Sequence, residues 1–319
     1  MVLVLRETAA DYDYFVGLLL TGVTQRMGRD YTARVYKVMK NNSLELDSLV
    51  LLKEGKNFSP NIYLQPYYEA YQEGVKIGEL IQRLCNIYQN CTVPIVDSNF
   101  TYSYEQMKPF IIYRLVNYER NLKLLEKIPH IRYLDLAITY HCLVREDEDG
   151  IGTIRITNEH IMHWGTHLKE LHELASENTK RLFPEIIRSM EEVMRSMLLE
   201  ELAGQEEEMQ EKVNPFILDT SKQKYKMYIL TNQKGINGAS CLLYPDVMNK
   251  LSEEFQSDFY VFPSSIHELI LVPTHDNKSN NEYSNMVREI NATQVAREEV
   301  LSDHVYYYSR VNGLVMMEC

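Results

Sequence analysis

Along the N-terminal third of the chain, the spacing of apolar residues changes twice. In DYFVGLLLTGVTQRM (residues 13–27) it predicts a helix with Phe15, Leu18, Leu19 and Val23 on one face. YTARVYKVM (31–39) alternates as a strand does, and the turn KNNS leads into a second strand, LELDSLVLL. A third short strand follows Pro60, and VKIGELIQRLCNIYQ (75–89) returns to helical spacing. The pattern predicts an α-β-β-β-α unit over residues 1–95.

In the middle of the chain, segments with the helical spacing of apolar residues follow segments with the alternation of a strand. YEQMKPFIIYRLVNYERNLKLLEK (104–127) predicts a helix, and IRYLDLAITYHCLV (131–144) predicts one long strand. The acidic turn REDEDG joins that strand to GTIRIT in a hairpin. Two helices, broken at Gly165, are expected between residues 159 and 200.

A second group of strands is expected near the C-terminus. These are KMYIL, DFYVF, IHELILV, VYYYS and LVMM, with helices PDVMNKLSEEF and EYSNMVREINA among them. The segment before them loses its apolar stripe and gains charge, which predicts a mobile acidic connection near residues 200–215. The predicted fold class is α+β, with a mixed lobe at 96–319 built on an antiparallel sheet whose hairpins are residues 131–157 and 258–272.

Charge and cysteine content narrow the class of protein. The 319 residues include 45 acidic and 33 basic side chains, a net charge of −12, which disfavours nucleic acid as a partner. Five cysteines without a C-x-x-C pair indicate reduced, mostly buried thiols. Neither a signal peptide nor a membrane span is recognisable, so a cytoplasmic protein is expected, and a homo-oligomer is compatible with the sequence.

A histidine cluster in NEHIMHWGTHLKELHEL resembles a metal site at first sight. His160, His163 and His167 would share one face of a continuous helix, but Gly165 interrupts that helix. The sequence also lacks H-E-x-x-H and the nucleotide-binding glycine motifs. We therefore expect neither a metal nor a cofactor.

The stretch FYVFPSSIHELILVP poses the choice between a catalytic serine and a turn. In a strand, His267 and Glu268 point to opposite faces, so they cannot act as a base and its orienting carboxylate. Ser265 lies on the side of His267, but no oxyanion site or third group is visible nearby. A hairpin whose turn includes Ser264 and Ser265 is the preferred interpretation.

A third candidate is NATQVAREEVLSDHVYYYSR (291–310), where a helix gives way to a strand. Polar residues and tyrosines at such a junction are suited to a docking surface, because tyrosine offers apolar area with one polar atom. Capping of helix ends by Asn291 and Ser302 is the structural alternative. The candidate binding residues of the whole chain are Ser264, Ser265, His267, Asn291, Gln294, Tyr306, Tyr307 and Tyr308.

Several segments carry a resemblance over nearly the whole chain. NFSPNIYLQPYYEAYQEG, LVNYERNLKLLEKIPHIRYLDLAI, GASCLLYPDV, FYVFPSSIHELILVP and NATQVAREEVLSDHVYYY resemble an uncharacterised family of anaerobic gram-positive bacteria, known only as a domain of unknown function. The order of elements is also similar to a second uncharacterised bacterial family, whose N-terminal part has the α-β-β-β-α arrangement of secretion-chaperone folds. Neither resemblance implies an activity or catalytic residues.

Two classes of function are carried forward. The first is a non-enzymatic binding or adaptor protein that recognises a protein partner through exposed sheet and tyrosine-bearing surfaces. The alternative is a hydrolase with a dispersed active site that uses His267 or His141 as its base. A deep pocket where a histidine and a carboxylate converge would favour the hydrolase.

Overall fold

The computed structural model describes residues 2–55, 59, 61–90, 103–147, 150–202, 226–274, 280–311 and 314–317. Backbone contacts divide the chain into two compact units, Met1–Tyr102 and Ser103–Cys319. Helices accompany several antiparallel sheets, so the predicted α+β class is confirmed. The expected linker at 91–101 and most of the expected connection near 200–215 lie outside the described residues.

The first unit contains the predicted helix, three strands and helix, with one extra short helix. Its elements are α1 (Val2–Met27), β1 (Tyr31–Met39), β2 (Glu45–Lys53), β3 (Ile62–Tyr63), α2 (Gln65–Gln72) and α3 (Ile77–Asn90). The strands form an antiparallel sheet in the order β1-β2-β3. In the turn between β1 and β2, Asn42 and Ser43 have positive φ angles of 57° and 54°. Asparagine tolerates that conformation, as the sequence indicated.

The core of the first unit lies between the helices and one face of this sheet. Phe15, Leu19 and Val23 of α1 are buried against Leu49 and Leu51 of β2, which confirms their predicted inward orientation. The periodicity is less reliable at the end of α3, where Ile87 is 43% exposed. Leu84 and Tyr88 of the same helix are buried in the core, so Ile87 lies beside the buried face and not on it.

The second unit begins with a four-stranded sheet. Its elements are α4 (Tyr104–Met107), β4 (Ile111–Asn117), α5 (Leu122–Leu125), β5 (His130–Tyr133), β6 (Leu136–Asp147), β7 (Gly150–Arg155), α6 (Asn158–Trp164) and α7 (Leu168–Leu182). Strand β6 pairs with β4 on one side and with β5 and β7 on the other. The β6–β7 pairing confirms the predicted acidic hairpin.

Two predictions in this region are wrong. The expected helix over 104–127 contains the strand β4, whose β-branched and aromatic residues are mostly buried and therefore lack strand alternation. The expected long strand over 131–144 is two strands, because the chain turns at Leu134, which has a φ of +56°. That turn positions Asp135 between β5 and β6.

A six-stranded antiparallel sheet completes the second unit. Its elements are β8 (Glu185–Ser189), α8 (Met190–Leu202), β9 (Tyr228–Asn232), α9 (Val247–Phe255), β10 (Phe259–Phe262), β11 (Leu269–Pro273), α10 (Asn280–Thr293), β12 (Tyr306–Ser309) and β13 (Leu314–Met317). The order is β13-β12-β10-β11-β9-β8. Strand β8 was predicted as part of a helix. The hairpins at 131–157 and 258–272 thus belong to different sheets, which corrects the expectation of one.

Candidate functional site

Two loops that the sequence singled out separately lie side by side in the second unit. The backbone N–H of Ile266 donates to the carbonyl of Glu299 at 2.8 Å, and Leu301 N–H donates to the carbonyl of Ser264 at 3.0 Å. Ser265 and Val300 form an antiparallel bridge between them. We call residues 263–268 and 299–306 the loop pair. Strand β11 begins only at Leu269, later than predicted, because the preceding residues belong to this pairing.

Ser265 caps its own turn. Its side chain is buried, and its Oγ accepts a hydrogen bond from the backbone N–H of His267 at 3.0 Å. This is the local bond by which a serine stabilises a turn. The predicted turn is therefore observed, and Ser265 has no hydrogen bond to a histidine ring among the described residues.

The ring of His267 is held from both sides. Its Nδ1 accepts from the backbone N–H of Asn237 at 3.3 Å, and its Nε2 lies 3.5 Å from Oε1 of Glu299. Because Nδ1 accepts, this network assigns the ring proton to Nε2, facing the carboxylate. His267 therefore has no free nitrogen with which to activate Ser265.

Glu268 occupies the half-buried inner side of the same loop. Burial raises the pKa of its carboxyl; the nearby Glu299 acts in the same direction, while His267 and a hydrogen bond with Ser265 oppose it. The loop pair thus contains a carboxylate whose ionised form is disfavoured by its surroundings.

Asp135 is the hub of a second group of polar contacts at the loop pair. Its Oδ2 accepts from Ser302 Oγ at 2.7 Å and from His304 Nδ1 at 3.0 Å, and its Oδ1 accepts from the Tyr306 hydroxyl at 2.5 Å. The Asp135 side chain is 13% exposed. The turn between β5 and β6 is thereby fixed to residues 302–306.

The hydrogen bonds to Asp135 leave the side chains of His304 and Ser302 with different chemical properties. His304 Nδ1–H points at Asp135, which leaves Nε2 without a hydrogen-bond partner among the described residues on a side chain that is 39% exposed. The Ser302 hydroxyl donates a hydrogen bond to the same carboxylate, and its Oγ accepts from the backbone N–H of His304 at 2.9 Å. The arrangement suits proton transfer at His304 but does not activate Ser302 as a nucleophile.

Asn291 fixes the loop pair from α10. Its buried amide donates to the carbonyl of Ser302 and to Oδ1 of Asp303, each at 2.8 Å. Asp303 also pairs with Arg120 at 2.5 Å. Gln294, by contrast, follows the end of α10 and is exposed. Asn291 therefore has a structural role, since it holds residues 302 and 303 in place, whereas Gln294 is accessible from solvent.

The three consecutive tyrosines do not form one surface. Tyr306 and Tyr308 are buried, and Tyr308 stacks on Phe259 with a centroid distance of 5.0 Å. Tyr307 points the other way, as strand alternation requires, and donates to Oδ2 of Asp258 at 2.5 Å. The expectation of an exposed tyrosine-bearing surface is therefore wrong for Tyr306 and Tyr308.

His141, which was a candidate base, is enclosed. Burial lowers the pKa of its imidazole well below the usual range, and the charges of Arg114 and Arg155 add to the effect. Its Nε2 lies 3.3 Å from the hydroxyl of Thr139. A buried histidine whose neutral form is favoured, and which has no carboxylate partner among the described residues, does not fit the role of a substrate-facing base.

The histidines around Trp164 have structural contacts. His160 accepts the backbone N–H of Thr157 on Nδ1 at 3.0 Å and stacks on Trp164 with a centroid distance of 5.5 Å. Gly165 ends α6 in the left-handed conformation, with a φ of 66°. Within the described residues, no three His, Cys, Asp or Glu side chains are grouped as metal ligands.

The cysteines within the described residues are free thiols. Cys85, Cys142 and Cys241 are free and buried, as expected, whereas Cys91 and Cys319 lie outside the described residues. Burial raises the pKa of Cys142 and of Cys241 to about 12.

No helix in the described part of the chain combines the length and the apolarity needed to cross a membrane.

Sequence reasoning missed Asp135 and His304. Each is a single polar residue beside a strand, and no local motif connects the two because they are 169 positions apart. A sequence signal existed only for their neighbours, in the polar run that contains Ser302 and Asp303.

Comparison with known protein families found one family that matches most of the chain. The model of a family of unknown function, DUF5688, matches residues 12–310. The protein belongs to this family. The match extends over most of both units of this DUF5688 protein, and it confirms the resemblance to an uncharacterised domain of unknown function. Neither the curated proteins nor the solved structures provided a match.

Proposed function

We propose that this DUF5688 protein is a non-enzymatic binding or adaptor protein that recognises an extended segment of a protein partner along β1. The observation that carries the proposal is the open edge of its N-terminal sheet. Strand β1 is nine residues long, and within the described sheet it pairs with β2 alone. An unpaired strand edge offers a row of backbone donors and acceptors to which an extended peptide can add as a further strand.

The side chains of β1 favour a particular partner chemistry. Arg34 and Tyr36 lie on the same face of the strand, and both are exposed, Tyr36 to 44%. Of their cross-strand neighbours, Val50 adds a half-buried apolar side chain, whereas Ser48 is buried. Arginine and tyrosine are enriched where interfaces gain most of their affinity. The preferred segment therefore carries an acidic side chain opposite Arg34 and an apolar one opposite Tyr36.

The experiment is a selection of phage-displayed random peptides on the full chain, followed by affinity measurement of the enriched peptides. Tyr36→Lys should weaken their binding at least about tenfold, because it removes an interface aromatic. Tyr14→Lys is the matched control, since Tyr14 is an exposed tyrosine, 65% accessible, on α1.

The outcome decides the proposal in either direction. Enrichment of acidic-apolar peptides whose binding is lost in Tyr36→Lys and kept in Tyr14→Lys supports capture at β1. Failure to enrich any peptide, or equal loss in both variants, would overturn it. Circular dichroism of each variant verifies that the sheet is intact.

One observation favours the second candidate, hydrolysis with a dispersed active site. His304 is oriented by Asp135 and has its Nε2 directed away from that carboxylate, which is the arrangement of a general base. This moves the candidate base from His267 and His141 to His304. A panel of nitrophenyl esters and phosphates tests it: turnover that is lost in His304→Gln and kept in His167→Gln, an exposed histidine, would favour the hydrolase.

The source and the setting of the protein are parts of the same proposal. We infer a cytoplasmic protein of anaerobic gram-positive bacteria from the resemblance of its sequence segments and from its free, buried cysteines. We propose that the candidate residues Ser264, His267 and Gln294 form a secondary contact with the protein partner. Sedimentation of the purified chain tests whether it forms a homo-oligomer.

A further inference from the structure

A small cavity lies beside the edge strand β4 in the second unit. Its volume is ≈ 10 Å³, which is room for a single water-sized group. Arg114 of β4, Thr179 of α7 and the two asparagines of the loop after β9, Asn232 and Asn237, are among its lining residues. None of the described residues that line it is acidic.

Arg114 brings an uncompensated charge to this cavity. Its guanidinium has no hydrogen bond or ion pair within the described residues, and its Nε is a buried donor without a partner. Burial lowers the pKa of Arg114 to about 10, with a further contribution from the charge of Arg155. The residue as a whole is half-buried, whereas its Nε is enclosed. Arginine stays protonated at neutral pH even so, and an enclosed charged donor without a hydrogen-bond partner is unfavourable.

The loop after β9, which lines the same cavity, provides a second donor. Asn237 has a positive φ of 53°, and its backbone N–H is engaged by His267 Nδ1, whereas its side-chain amide forms no hydrogen bond among the described residues. Asn232 is already used within the loop: its amide donates to the carbonyl of Ile236 at 2.9 Å. Asn237 is therefore the amide available to a ligand.

We propose that this cavity binds a compact oxyanion, with one oxygen inside the cavity between Arg114 and the amide of Asn237. A guanidinium and an amide N–H are both donors, and charge-assisted bonds from arginine to phosphate or carboxylate oxygens are strong. Arg114 is the charged residue of the described lining, and its positive charge disfavours a cation there. The small volume admits one atom of the anion and leaves the rest of it at the mouth.

The test follows thermal unfolding of the full chain in inorganic phosphate, sulfate or acetate, with sodium chloride balancing the ionic strength. A ligand that binds the native state raises the melting temperature saturably. We expect such a rise with at least one of the three oxyanions, and the effective one identifies the group. Isothermal titration calorimetry with that anion measures its affinity directly.

Two variants locate the effect. Arg114→Met should abolish the response, and without anion it should be no less stable than the wild type, because it removes a half-buried guanidinium whose enclosed Nε has no partner among the described residues. Arg188→Met, at an exposed arginine of β8, is the matched control and should respond as the wild type does. Asn237→Gly keeps the left-handed backbone and should weaken anion binding about tenfold.

Three results would overturn the proposal. The first is the absence of a saturable response to all three oxyanions, which would leave water as the occupant. The second is an equal response in Arg114→Met, which would place the anion elsewhere. If Arg114→Met does not fold, an unchanged affinity in Asn237→Gly is the third. Tyr36→Lys should leave the response intact, so this proposal and the one for β1 fail independently.

Discussion

Ser265 pairs with Val300 in an antiparallel bridge that lies outside the named strands. Backbone hydrogen bonds flank this bridge on both sides, so the turn after β10 and the segment before β12 form one structural element. Ser265 thus has a structural role, although its position beside His267 in the sequence is also that of a candidate nucleophile.

Replacing Ser265 by Ala should lower the free energy of unfolding by about 1–2 kcal/mol, because His267 N–H loses its acceptor inside the turn. Leu271→Ala should cost more, about 2–5 kcal/mol, because Leu271 is fully buried in β11. Urea titrations measure both losses. A fluorophosphonate probe should not label Ser265, and labelling that disappears in Ser265→Ala would contradict the turn interpretation.

Glu268→Gln should raise the melting temperature at neutral pH. The pKa of Glu268 is raised above its ordinary 4.5 by burial, so the native state binds the proton more tightly than the unfolded chain does. The ionised side chain therefore destabilises the fold above the native pKa, and this penalty disappears as the pH falls toward 4.5. Melting curves across that range, with Glu254→Gln at an exposed position of α9 as the control, measure the effect. An advantage that persists undiminished below pH 4.5 would be inconsistent with this cause.

Asp135→Asn should lower the free energy of unfolding by about 3 kcal/mol, because three donors lose a charged acceptor. Asp303→Asn is the matched change in the same loop pair. Its pair with Arg120 is about one-third exposed, so the expected loss is about 1 kcal/mol or less. Chemical denaturation of both variants gives the comparison, and equal losses would show that Asp135 is not the hub of the network.

Gly238→Ala should be strongly destabilising, by about 3 kcal/mol or more. A Cβ at this position would collide with the side chain of Thr231 and with the backbone of His267 and Asn232. Gly17→Ala, in α1, is the control. A Cβ added at Gly17 would meet no neighbouring atom within 4 Å, so alanine there should stabilise the helix by about 0.5–1 kcal/mol. Thermal melts that rank the two variants in the opposite order would contradict the packing around Gly238.

The parts of the fold that the sequence predicted are those with a local signal. The hairpin of β1 and β2 has alternating strands and a turn with asparagines, and both features act over a few residues. Strand β4 lacks that signal because it has buried apolar residues on both faces, so its apolar run resembles a helix segment. Strand β8 is short and lies between two helices, which concealed it.

The candidate site was predicted only in part for a related reason. The turn at Ser265 follows from local chemistry, and the polar run that contains Ser302 was recognised as unusual. The partner of that run is Asp135, and the side chains involved meet only through the pairing of distant strands. A single sequence contains no short-range pattern that specifies such a contact.

The contacts of Asp135 also bear on the order in which the second unit folds. They join positions 167, 169 and 171 residues apart, so forming them closes a very long loop of chain. Loop closure of this kind costs entropy before its contacts contribute, and non-local contacts slow folding. We expect the Asp135 contacts to form after the folding transition state. Their loss should then accelerate unfolding and leave the folding rate nearly unchanged, which makes Asp135 a determinant of how long the native state persists.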